Sequence, residues 1–198
     1  LHVSTKTTAI MKAQSILRIS AVTAALLLVP FVAMQFTDEV NWSVSDFIIM
    51  GALIFSIGLA TQFLMSRSAN IAYRLGAGFA VLGTFLLIWV NLAVGLIGSG
   101  ANAANLLYAV VPLAIVIGSV ITRLQPRGMA STMAVAALAQ IAVPIIAFAT
   151  TTPNTLLDGG SEPAANVIGI TGFFAALWIV SAVLFRRATK SIPEPSNS

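Results

Sequence analysis

The stretch MSRSANIAYRLGAGFAVLGTFLLIWVNLAVGLIGSG (65–100) decides the fold. It opens on two arginines, Arg67 and Arg74, and then runs from 75 to 98 without a charge. At about 1.5 Å rise per residue, a helical run of that length crosses the ~30 Å hydrocarbon core of a bilayer. Working outward, the same grammar recurs at 17–36, 46–65, 105–122, 129–150 and 167–185. The chain therefore reads as all-α, a polytopic transmembrane bundle of six helices.

The charges give these spans a direction. Lys6, Lys12 and Arg18 precede the first, Arg67 and Arg74 join the second to the third, and Arg123 and Arg127 join the fourth to the fifth. Arg186, Arg187 and Lys190 follow the sixth. With six crossings all ten basic residues share one face, and five of the six carboxylates (Asp38, Glu39, Asp46, Asp158, Glu162) share the other. Lys and Arg in short loops mark the cytoplasmic side, so both termini are expected in the cytoplasm. Trp42 and Tyr108 fall near the outer interface and Tyr73 near the inner one, where amphipathic rings are enriched.

Composition agrees and excludes much. In 198 residues, 58% are hydrophobic and 8% charged, with mean hydropathy +0.97. A soluble fold of this size cannot hide that much apolar surface. The pI of about 10.1 is no nucleic-acid signature, because the basic residues lie in ones and twos between apolar runs. Membrane lipids are the expected partners, with other membrane subunits or self-association besides. There is no cysteine, and the one histidine, His2, sits in the polar leader. Thiolate sites, haem ligation and intramembrane imidazole chemistry have no residues to use. No span holds a His or Lys to activate a serine or threonine, so no enzyme activity, cofactor or metal is expected. An oxygen-ligand cation site on Asp38, Glu39 and Asp46 is the weaker reading of a solvated acidic loop.

Along the chain, 1–15 reads as a disordered cytoplasmic leader, 16–187 as the transmembrane domain and 188–198 as a disordered tail. Two readings of the start stay open: a non-standard start at Leu1, or Met11 as the natural first residue. Lys12 and Arg18 ahead of an apolar core also fit a signal peptide, but VAMQFTDE lacks a small-x-small site, so an uncleaved helix is expected. Ser43-Val44-Ser45-Asp46 has the spacing of a capping box with Asp in place of Glu. Leu53, Ile57, Gly58, Leu64, Arg67 and Ala77 recur sixty residues on as Leu113, Ile117, Gly118, Leu124, Arg127 and Ala137, a pattern that chance also produces in such sequences.

What remains is uncharged polarity. Asn91, Gln62, Gln140 and Thr84, with Gln35, lie in or near spans, and Pro30, Pro112 and Pro144 each remove a backbone donor. They can line a solute pathway, or bond helix to helix; the second is commoner. Asn91, placed well inside span three, is expected to face other helices and bond to a side chain, a freed carbonyl or an internal water. The sets Gly76, Ala80, Thr84 and Ala52, Ser56, Ala60, with Gly172 and Ala176, are small-residue faces suited to close helix approach. Asp38, Glu39, Asn41 and Trp42 form a candidate contact loop, expected to be ordered, with Trp42 packed and a carboxylate bonded.

VAMQFTDEVNWSVSDF (32–47), WVNLAVGLIGS (89–99), ANLLY (104–108) and QPRGM (125–129) together resemble a group of small bacterial multi-pass membrane proteins. The resemblance covers most of the chain from Met11. It implies a bacterial inner-membrane setting and brings no activity or catalytic residue with it. Two functions follow as expectations: a non-catalytic structural or accessory membrane subunit, or else a small permease or channel for a neutral or weakly polar solute.

Overall fold

The computed structural model describes residues 2–98, 102–150 and 164–190, with side chains from residue 13, and from 166 in the last segment. Asp158, Glu162, Ser99, Gly100 and the tail from 191 lie outside the described residues. Six helical segments are long and apolar enough to cross a membrane, and among the described residues there is no strand. The chain is a multi-pass helical membrane protein. It divides into two compact units, Leu1–Phe63 and Leu64–Ser198.

The first unit holds α1 (His2–Ala33) and most of α2 (Val44–Arg67). The helix of α1 begins at His2, well ahead of its apolar span, and so runs through the segment expected to be an irregular leader. Pro30 lies in its last turn, and the chain leaves the helix through Met34 N–H to Pro30 O (3.0 Å) and Thr37 N–H to Ala33 O (3.0 Å). α2 meets α1 along Gly51 and Gly58, where an added Cβ would lie 3.2 Å from Leu27 Cδ1 and 2.6 Å from Ile19 Cγ2. Ala52 and Ser56 are exposed, so the face that touches α1 is that of Gly51 and Gly58.

The second unit holds α3 (Ile71–Ala93), a 3-10 segment (Ala103–Ala109), α4 (Val110–Ile121), α5 (Pro126–Thr150) and α6 (Ala164–Lys190). α6 packs against both α3 and α5, and α4 against α5. Small residues make this close approach possible. A Cβ on Gly83 would stand 2.8 Å from the Trp178 ring, and one on Gly76 3.3 Å from Phe185. Ser181 Oγ donates to the Gly76 carbonyl at 2.8 Å, crossing from α6 to α3. The partner of the Gly76–Ala80 face is thus α6, whereas Gly172 and Ala176 are exposed and Gly172 has open space.

Bulk lies outside as much as inside. Ile121, Leu138 and Ile168 are exposed, while Ala77, Ala136 and Ala137 are buried, as expected where lipid tails are as apolar as leucine. The largest buried side chains are Trp178, Tyr73, Tyr108 and Phe185. Both tyrosines are therefore part of the packed core of the second unit. Tyr73 can be buried because its hydroxyl reaches the Leu124 carbonyl at 3.0 Å, and its ring meets Phe185 edge to face at 5.1 Å.

The end of span three and the sixty-residue correspondence differ from the sequence reading. Span three ends at Ala93 and not near 98, because Gly95 takes φ 77° and turns the chain out of the helix. Asn91 accordingly lies in the last turn of α3, not deep within the span. The sixty-residue correspondence has no structural counterpart at its centre: Leu64 is helical, while Leu124 lies in a turn with φ 59°.

Candidate functional site

The most organised polar site is the junction between α3 and the 3-10 segment. After Ala93 the chain passes through 94–98 with Gly95 and Gly98 at positive φ, burying Leu96 and Ile97. A turn that deep needs its peptide groups met from within. Asn105, 4% exposed, does this. Its Oδ1 accepts from Leu96 N–H (2.8 Å) and Ile97 N–H (2.9 Å), and its Nδ2 donates to Ile97 O at 3.2 Å. One amide thus imitates a strand edge for the turn. Asn102 starts the 3-10 segment by accepting from Ala104 N–H at 3.0 Å. Asn91 Nδ2 donates to the Asn105 backbone carbonyl at 3.0 Å, tying the end of α3 to this segment. Its bond goes to a carbonyl of another element, as its apolar surroundings demand.

The other sequence candidates are not brought together with it. Thr84 bonds back to Ala80 O at 2.7 Å on its own helix. Gln62 is exposed on α2, in the first unit. Gln140 is fully buried on α5, and neither of its amide atoms has a hydrogen-bond partner in the protein. The same holds for Tyr108 Oη, Thr171 Oγ1, Trp178 Nε1 and Asn91 Oδ1. The Tyr108 hydroxyl faces Thr171 without closing a hydrogen bond. These groups are placed in the core by helix packing, and each is a polar atom of the kind that internal water usually meets.

The loop between α1 and α2 is ordered at its α2 end. Ser43 N–H donates to Asp46 Oδ2 at 2.7 Å, and Asp46 N–H donates back to Ser43 Oγ at 3.3 Å, which is the reciprocal capping box. Trp42 is half-buried and meets Phe47 edge to face at 5.2 Å. Glu39 N–H donates to Thr37 Oγ1 at 3.1 Å. The side chains of Asp38, Glu39 and Asn41 are exposed. Asp46 spends its carboxylate on the helix start, and among the described residues no three His, Cys, Asp or Glu gather as metal ligands.

Among the described residues of the second unit, three cavities can be placed. One of about 490 Å³ lies between the 94–98 turn and the start of α6, lined by Leu96, Gly98, Asn166 and Ile170 among others. An apolar groove of about 550 Å³ runs between α5 and α6, over Ile141, Pro144, Phe148, Val167 and Thr171. The third, about 480 Å³, is formed at the α4–α5 turn. Asn91, Gln140, Gln62 and Thr84 line none of the three.

Asn105 is the residue that sequence reasoning missed. Its signal was present: an asparagine bounding an apolar run, a few residues after a pair of glycines. Comparison with known families, with curated proteins and with solved structures finds no match to this chain.

Proposed function

We propose that this chain is a non-catalytic structural or accessory subunit of a bacterial inner membrane, acting by contact with other membrane subunits or with itself. The observation that carries this reading is the use made of Asn91. Its Nδ2, a candidate for lining a pathway, instead donates to a backbone carbonyl that holds the α3 junction together. Around it, α3, α5 and α6 are joined by close small-residue packing.

A native gel of membranes extracted in mild detergent tests the reading. The chain is expected to migrate in an assembly larger than itself. A lone monomer, with solute flux above that of empty vesicles after reconstitution, would contradict it. One observation favours the alternative, a small permease for a neutral or weakly polar solute: Gln140, Tyr108 and Thr171 keep buried polar atoms without protein partners. Stopped-flow shrinkage of proteoliposomes in glycerol or urea separates the two. Flux that Gln140→Leu removes supports the permease.

A further inference from the structure

We infer that the cavity at the α4–α5 turn binds a phosphate group, held between the guanidinium groups of Arg123 and Arg127. α4 ends with Arg123 N–H donating to Val120 O (3.1 Å) and Leu124 N–H to Ser119 O (3.1 Å), the paired bonds of a Schellman turn. The residue such a turn needs in the left-handed region is usually glycine; here it is Arg123, at φ 51°. Tyr73 fixes the far side of the turn through Leu124 O, and Pro126 then opens α5. The result is an open cavity of about 480 Å³ with Arg123, Gln125 and Arg127 at its rim, all three exposed.

Charge balance points to an anion. The sequence of the second unit carries seven basic residues, Arg67, Arg74, Arg123, Arg127, Arg186, Arg187 and Lys190, against three carboxylates, Asp158, Glu162 and Glu194. Thr122 and Ser131 direct their hydroxyl protons to Gly118 O (2.7 Å) and Arg127 O (3.4 Å), leaving the two guanidinium groups and the Gln125 amide as side-chain donors. Paired guanidinium forks suit the oxygens of a phosphate better than a lone carboxylate. The turn joins the ends of two helices long and apolar enough to cross a membrane, and basic pockets at such ends take lipid head groups. A soluble phosphate presents the same chemistry.

The test uses the full chain in phosphatidylcholine nanodiscs, with melting followed by tryptophan fluorescence. One arm adds phosphatidylglycerol to the discs; the other adds inorganic phosphate at constant ionic strength. A rise in Tm of a few degrees in either arm is expected, and the arm that shows it identifies the source. That rise should vanish in Arg123→Gln/Arg127→Gln. It should vanish equally in Arg123→Gly/Arg127→Gln, whose glycine suits the left-handed turn and keeps the fold. Each variant is compared with its own melting point in neutral discs, so a change in basal stability does not obscure the result. Arg186→Gln/Lys190→Gln removes the same charge elsewhere and should leave the rise intact. No rise in either arm, or an equal loss in that control, overturns the proposal.

Discussion

Asn105 and Asn91 are joined by one hydrogen bond yet carry different loads. Asn105→Leu leaves two buried N–H groups and a carbonyl at Leu96 and Ile97 without acceptor or donor, each costing about 1–3 kcal/mol. We expect a loss of roughly 2–4 kcal/mol in thermal unfolding, the sum being reduced by relaxation. Asn91→Leu removes one donor and should cost on the order of 1 kcal/mol or less. Equal losses would show that the turn is not held by Asn105. Gln140 behaves oppositely. With no protein partner for either amide atom, Gln140→Met should be neutral or raise stability by up to about 1 kcal/mol, whereas a clear loss would reveal a bonded amide. Sequence alone marked Asn91 and Gln140 as polar residues in apolar surroundings, and Asn91 does meet the kind of partner expected. It did not mark Asn105, because a side chain that satisfies a turn is defined by where the turn's N–H groups point, which composition does not encode.

Among elements, the contacts that pair α6 with α3 rest on the absence of side chains. A methyl group on Gly83 would stand 2.8–2.9 Å from the Trp178 ring, so Gly83→Ala must displace a fully buried indole. A cost of about 1–3 kcal/mol is expected in detergent unfolding. Gly172→Ala meets nothing within 4 Å and should be neutral or stabilise by up to about 1 kcal/mol through helix propensity. Comparable losses at both positions would refute the assigned packing face. The sequence marked Gly76 and Ala80 correctly as a close-approach face, since four-residue spacing alone puts them on one side. In α2 it favoured Ala52, Ser56 and Ala60 over the Gly51–Gly58 pair that meets α1. Spacing identifies candidate faces, but which one closes depends on the facing residue, here Leu27 and Ile19. Span ends were legible to within about five residues, and at 94–98 apolar residues continue past the helix because the turn is itself buried.

For the whole molecule, the number and class of spans follow from hydropathy because lipid forces every backbone group of a crossing segment into a helix. The division into two units was not legible, since it depends on which helices share contacts and not on which are apolar. Direction across the membrane rests on the segregation of Lys and Arg, and the absence of cysteine makes it directly measurable. Single cysteines placed at Asn41, Ser68, Gln125 and Ser161 have no background thiol to compete with. In intact spheroplasts exposed to a membrane-impermeant maleimide, Asn41→Cys and Ser161→Cys should label. Ser68→Cys and Gln125→Cys should label only after the membrane is opened. Labelling of Ser68 or Gln125 in sealed spheroplasts, or protection of Ser161 alongside labelling of Asn41, would contradict six crossings with all basic loops on the cytoplasmic side.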